Sequence, residues 1–264
     1  MPKIIHKELS YQVRGVLLHV HNELGPNLPE PFYRDATALG LGKQDVRCEV
    51  EKSFEVYYRD ARVGLYFVDI WIEDGKMLLE LKVAPAILPL HRGQAISYLK
   101  VTDADLAIVV NFGAASLLDE RFPNFLRDKV ASFEWQEQPI AEELLYPELT
   151  NQLFQLLHRV HFELGPGFLH QVYRRATMVE LEHCGLDYTY IEQLPIHYQG
   201  HYLGAQPVRL ICVEDKVLLA TVAVRQADEA MQAQLKARLR HLGLQLGLLA
   251  NFHGTVLQII PVRV

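Results

Sequence analysis

The chain has 264 residues, half of them hydrophobic and 22% charged, which is the composition of a folded globular protein and excludes disordered, collagenous and low-complexity classes. No apolar run approaches the roughly 18 residues of a membrane helix, and the charged start Lys3-Ile4-Ile5-His6-Lys7-Glu8 is unlike a secretory leader. Net charge is −6, with 26 basic against 32 acidic residues, which argues against a strongly basic, non-specific nucleic-acid binder. Cys48, Cys184 and Cys212 are odd in number and scattered, without a CxxC pattern. They fit a reducing, cytoplasmic setting better than a disulfide framework.

The first half begins with a helix. Ser10 reads as its N-cap, Val13, Val16, Leu17 and Val20 follow at helical spacing, and Gly25-Pro26 stops it. A second helix fits residues 30–41. Alternating, β-rich runs follow at about 46–59, 63–72 and 77–84, and Asp74-Gly75 between the last two is a type I′ hairpin signal. Another helix fits 91–101. Leu106-Ala107-Ile108-Val109-Val110 is a continuous apolar run, as in a fully buried strand. The order α, α, β, β, β, α, β predicts an α/β fold with a mixed sheet.

The second half repeats the first. At an offset of 140 residues, Glu8-Leu9-Ser10 meets Glu148-Leu149-Thr150, and Glu23-Leu24-Gly25-Pro26 meets Glu163-Leu164-Gly165-Pro166. Tyr33-Arg34 meets Tyr173-Arg174, and Asn111-Phe112 meets Asn251-Phe252. Such a constant register defines a tandem duplication. The join falls within 125–147, with Trp135-Gln136-Glu137-Gln138-Pro139 its most linker-like part.

Chemistry is expected in the hairpin of the first copy. If Asp74-Gly75 is a two-residue turn, partners on the two strands sum to 149 and Asp69 faces Glu80, about 5 Å away on one side of the sheet. Lys82, two residues on, shares that side. Opposed carboxylates are destabilising unless a cation lies between them, and hard oxygen donors suit Mg²⁺ or Mn²⁺. A neighbouring lysine can orient or deprotonate water and neutralise charge on a phosphorane-like transition state. The alternative is a solvated hairpin. Against it stand the apolar residues Leu78, Leu79, Leu81 and Val83, which imply a covered strand. Gln94 and Tyr98 follow at i, i+4 on one helix face, where they can add polar groups to the same cleft.

The helix–Gly-Pro opening, the D…ExK hairpin and the QxxxY helix together resemble the GxxExxY proteins of the PD-(D/E)XK nuclease superfamily, over nearly all of residues 8–113. The resemblance implies two tandem copies of a restriction-endonuclease-like αβββαβ core and metal-dependent phosphodiester hydrolysis. It implies Asp69, Glu80 and Leu81 as metal-binding positions, Lys82 as the catalytic lysine, Gln94 and Tyr98 as the QxxxY pair, and Glu30 as the acidic residue of the opening helix. His91 also fits the pattern. Asn27 stands where the motif has glycine, and Pro29 and Pro31 force Glu30 to the very start of its helix.

The second copy lacks this set. Asp69 becomes Arg209, Glu80 becomes Ala220, Lys82 becomes Val222, Glu30 becomes His170, His91 becomes Met231 and Tyr98 becomes Arg238, while Gln234 persists. Residues common to both copies, such as His21 and His161, are therefore read as structural. Arg209, Arg225, Lys236, Arg238 and Arg240 are candidates for a phosphate-contacting surface, with a solvated helix face the preferred reading for the last three. The eight histidines of this half lack zinc spacing. The expectation is a nuclease domain at 1–128 and a degenerate repeat at 145–264, forming an intramolecular pseudodimer open to further self-association. The expected cofactor is Mg²⁺ or Mn²⁺. The expected partner is nucleic acid, DNA ahead of RNA, and no membrane. The alternative is a non-catalytic nucleic-acid- or protein-binding module on the same fold.

Overall fold

A computed structural model of the protein describes residues 5–125, 132–135 and 144–264. The predicted linker residues Gln136–Pro139 lie outside the described residues. The chain divides into two compact units, Met1–Tyr57 with Leu65–Ser132, and Tyr58–Gly64 with Phe133–Val264.

In the first half the elements are α1 (Lys7–Leu24), α2 (Glu30–Gly42), β1 (Cys48–Tyr58), β2 (Ala61–Ile72), β3 (Met77–Lys82), α3 (Pro89–Thr102), β4 (Leu106–Asn111) and β5 (Leu118–Pro123). The five strands form one sheet in the order β1-β2-β3-β4-β5. β3 runs antiparallel to β2 and parallel to β4, and β5 is antiparallel to β4. The parallel pair needs a crossover, which α3 supplies. β4 carries Leu106-Ala107-Ile108-Val109-Val110 and is buried along its whole length, as its unbroken apolar run predicts.

The two sides of β3 have separate duties. Leu79 and Leu81 join Val13, Val16, Leu17 and Val20 of α1 in one apolar core, closed by Tyr33, Leu41 and Phe112. The alternate residues, Glu80 and Lys82, point the other way.

The second half repeats this plan: α4 (Pro147–Leu164), α5 (His170–His183), β6 (Tyr188–Tyr198), β7 (His201–Val213), β8 (Val217–Val222), α6 (Glu229–Leu242), β9 (Leu246–Asn251) and β10 (Gln258–Arg263). Its sheet order is β10-β9-β8-β7-β6, with β8 and β9 the parallel pair.

The residues shared by the two halves make matching bonds. Tyr33 Oη donates to Gly25 O (2.6 Å) and accepts from Leu28 N (2.9 Å); Tyr173 Oη donates to Gly165 O (2.7 Å) and accepts from Phe168 N (3.2 Å). Gly25 and Gly165, at φ 71° and 73°, reverse the chain after each first helix in a region that disfavours other residues. His21 and His161 bond the carbonyls of Ala114 and Gly254 at 3.0 and 2.9 Å. Asn111 accepts from Ala84 N (2.9 Å) and donates to Ala84 O (2.7 Å), and Asn251 does the same with Val224. Asn111 is fully buried. Asn111→Ala strands main-chain groups of the Ala84 segment, so a loss of about 2–4 kcal/mol is expected in denaturant unfolding. An unchanged midpoint would remove this clamp from the account of stability.

Three expectations need correction. Ser10 is inside α1, not its cap: residue 6 holds the N-cap position, and the Ser10 hydroxyl donates back to Ile5 O (3.4 Å) while accepting from Arg121 (2.9 Å). The β2–β3 connection is not a two-residue type I′ turn. It spans Glu73–Lys76, with Glu73, Asp74 and Gly75 all at positive φ. Because that loop is centred where the shorter turn would be, the register still sums to 149, as in Ile70–Leu79. Finally, β5 and β10 add an edge strand to each predicted core. The charged run Leu118-Asp119-Glu120-Arg121 conceals β5, and long side chains from the helices satisfy it: Arg14 to Asp119 at 2.9 Å and Arg92 to Glu120 at 2.6 and 2.7 Å.

Candidate active site

Asp69 lies near the end of β2, Glu80 and Lys82 on β3, and Glu30 opens α2. Pro29 at the N-cap and Pro31 just inside fix Glu30 as the first helical residue. The β2–β3 ladder pairs residues as far as Ile70 and Leu79. One step beyond, where Asp69 comes opposite Glu80, a side chain takes over: Asp69 Oδ2 accepts from Leu81 N at 2.7 Å. Leu81 keeps its side chain in the core, so only its main-chain oxygen could serve as a ligand.

Glu80 is 4% exposed and held from two directions. Lys82 Nζ donates to Oε1 at 2.6 Å, and Tyr66 Oη donates to Oε2 at 2.8 Å. The Tyr66 ring stacks on Tyr98 of α3 at 3.7 Å between centroids. Tyr98 therefore reaches the carboxylate through Tyr66. Gln94, one turn earlier on α3, has a buried Oε1 without a hydrogen-bond partner among the described residues. His91 is used locally, its Nδ1 accepting from Leu88 N (3.2 Å) at the start of α3.

Tyr66 escaped sequence reasoning. Strict alternation from Asp69 assigns it to the other side of β2. Beyond the last β2–β3 pair, its hydroxyl nonetheless reaches Glu80.

Electrostatics tie the group together. Burial, then the charge of Glu80, push the Asp69 carboxyl from the ordinary 3.8 up to about 8, against the Leu81 N–H and Lys82. Burial also raises Glu30, which Lys82 opposes and Glu80 reinforces. Burial disfavours charge on Lys82, yet Glu80 first, then Asp69 and Glu30, leave its pKa above the usual lysine value. Three carboxyl groups thus share one ammonium group.

This donor set fits a hard divalent cation. All donors are oxygens, and the site holds more potential negative charge than Lys82 balances. Among the described residues no cluster of three or more His, Cys, Asp or Glu side chains is arranged around one point.

The equivalent positions of the second half, Arg209, Ala220 and Val222, offer no such donors. Its sheet nonetheless stays packed, with Leu210, Leu218, Ala220, Leu235, Leu239 and Leu249 in one apolar cluster.

The fold and this constellation define a nuclease-type α/β core. The chain belongs to the PD-(D/E)XK nuclease superfamily, whose family model matches it twice, over residues 7–122 and 147–260. No curated protein matches the chain. A solved structure described as "Crystal structure of SSO0001" is similar at 18% identity with a TM-score of 0.26, covering 44% of this chain and 61% of its own length. The chain thus spans about three fifths of the solved structure it matches. No helix among the described residues is long and apolar enough to cross a membrane.

Proposed function

We propose that the protein is a divalent-metal-dependent nuclease. In this reading residues 1–128 form the catalytic domain and 145–264 a repeat without hydrolytic machinery. The observation that carries it is the meeting of Asp69, Glu80 and Lys82 at the junction of β2 and β3, with Glu80 buried and ion-paired. Glu30 at the head of α2 and Tyr33 behind it support placing the chain with the GxxExxY proteins.

Asp69, Glu80 and the main-chain oxygen of Leu81 would hold Mg²⁺ or Mn²⁺, with Glu30 close enough in charge to assist. Such a cation supplies Lewis acidity toward a phosphodiester and lowers the pKa of water beside it. The chain's own groups do the rest. Lys82 keeps its proton because Glu80, Asp69 and Glu30 favour its charged form. It therefore acts as a donor that orients water and offsets charge on the phosphate, and not as a base. Tyr66 holds Glu80 in one orientation, and the Tyr66–Tyr98 stack fixes α3 against that point. Gln94 offers an unpaired acceptor for an N–H, O–H or cation.

Cleavage of labelled single- and double-stranded DNA and RNA in Mg²⁺ or Mn²⁺ tests the proposal. The wild type should cut at least one substrate, with DNA expected ahead of RNA. Glu80→Gln, close in shape, should cut about a hundredfold slower or less. Equal rates for the two proteins, or equal rates in EDTA, would leave the non-catalytic binding module as the reading.

A further inference from the structure

We propose that the second half binds a phosphate-bearing ligand in the cavity left where the hydrolytic side chains are missing. The cavity, of about 220 Å³, is lined by His170, Arg174, Arg209, Thr221 and Arg238 together with apolar residues of β7 and β8. At the 140-residue offset these positions match Glu30, Arg34, Asp69, Leu81 and Tyr98. The concavity stays and its sign is reversed. Carboxyl groups gathered around the Lys82 ammonium in one copy give way to cationic groups gathered around a space in the other.

Several independent features point to an anion. Arg174 is 7% exposed, and its neighbour Tyr190, 5.7 Å from ring centroid to guanidinium and hydrogen-bonded through its side chain, brings no carboxylate. Among the described residues neither Arg174, Arg209 nor Arg238 forms an ion pair with a carboxylate. A buried guanidinium without a counter-ion is costly, and an anion removes that cost. Arg238 Nε and Thr221 Oγ1 are both buried without any hydrogen-bond partner. Arg238 is thus not on a solvated helix face, the reading its spacing suggested, though Arg240 is exposed.

The main chain is shaped to the same end. β6 and β7 pair through Ile191–Leu210 and Gln193–Pro207, so Val208 and Arg209 together oppose the single residue 192. At this bulge Arg209 takes φ 53°, a conformation that bulky residues seldom adopt. A bulge re-aims a side chain, and here it serves the residue that lines the cavity. His170, first residue of the 14-residue α5, adds the positive end of that helix. Burial, then the charges of Arg174 and Arg209, lower the pKa of His170.

The dimensions select the ligand class. The cavity is smaller than the roughly 300–1,000 Å³ that enclose drug-sized ligands, so it takes one anionic group and leaves the remainder outside. Three guanidinium forks offer more charge and more donors than a two-oxygen carboxylate can use. A phosphate, with up to two negative charges and several acceptor oxygens, matches them. It can arrive as free phosphate or as part of a nucleic-acid strand.

Titration of the whole chain in EDTA separates this proposal from hydrolysis by the first half. Inorganic pyrophosphate and a short fluorescein-labelled single-stranded DNA are the two probes. Binding of either is expected, and the one that binds identifies the source of the phosphate. Arg209→Glu, at an exposed position that should not disturb folding, is expected to weaken it at least about tenfold. Thr221→Val, of equal shape, should weaken it measurably, and Arg240→Ala should leave it unchanged. Failure of both probes to bind, a loss below tenfold in Arg209→Glu, or an equal loss in Arg240→Ala overturns the proposal.

Discussion

Replacing Lys82 with alanine is expected to lower metal-dependent cleavage by about 10²–10³-fold while leaving the sheet intact. The size follows from position. Lys82 Nζ lies 2.6 Å from Glu80 Oε1, and its side chain is 19% exposed, so it works where water screens charge weakly. Lys82 is the cation that opposes the upward shift of Asp69. Under the proposed mechanism, loss of Lys82 would remove the donor to the attacking water and the charge that offsets the phosphate. It also leaves the buried Glu80 carboxylate with Tyr66 as its hydrogen-bond donor. Lys82→Arg retains a cation in changed geometry and should recover part of the rate. Single-turnover cleavage of one labelled substrate reads both variants. Full activity in Lys82→Ala would place the chemistry elsewhere in the molecule.

Asp69→Asn is expected to have opposite effects on activity and on stability. Cleavage should fall by at least a hundredfold, since a neutral amide is a poor ligand for a hard cation. Without metal, the variant should gain stability relative to the wild type as pH rises. The sign follows from linkage. Asp69 titrates near 8 in the folded chain against an ordinary 3.8, so between those values the folded state binds more protons than the unfolded one. Stability from this group is therefore fully present below about pH 4 and is lost as pH rises toward 8. The loss has an upper limit of about 1.4 kcal/mol per pH unit for one proton. Asparagine abolishes that slope and keeps an acceptor for the Leu81 N–H. Urea unfolding in EDTA at pH 5 and pH 8 measures it. A wild type and a variant with parallel pH dependence would show that the carboxyl of Asp69 is not held in its protonated form.

The sequence disclosed the large periodic features and missed those set by neighbours. Val13, Val16, Leu17 and Val20 announced α1 because a helix must bury one stripe, and all four are buried. The tandem repeat separated structural from chemical residues: Tyr33, Asn111 and His21 occur in both copies and bond main chain in both. The Asp69–Glu80 pairing was legible because register depends on the centre of a turn more than on its type. β5 was not, because its charges resemble loop until Arg14 and Arg92 supply partners from distant sequence. Tyr66 was passed over and Arg238 misjudged for a related reason. Alternation and helical spacing assign a direction to a side chain, whereas a 6 Å side chain at the end of a ladder or over a cavity goes where space and charge allow.

The separate duties of the two sides of β3 have a consequence for how such a molecule can be altered. Leu79 and Leu81 hold the α1 side together, while Glu80 and Lys82 face away from that cohesion. In the other half, Ala220 and Val222 stand at those places and the strand is packed as well as ever. Reactive groups on this strand are therefore replaceable parts, mounted on a frame whose integrity is decided elsewhere. An experimenter who wished to install a different ligand preference could rewrite one side of a single strand and expect the rest of the protein to tolerate it.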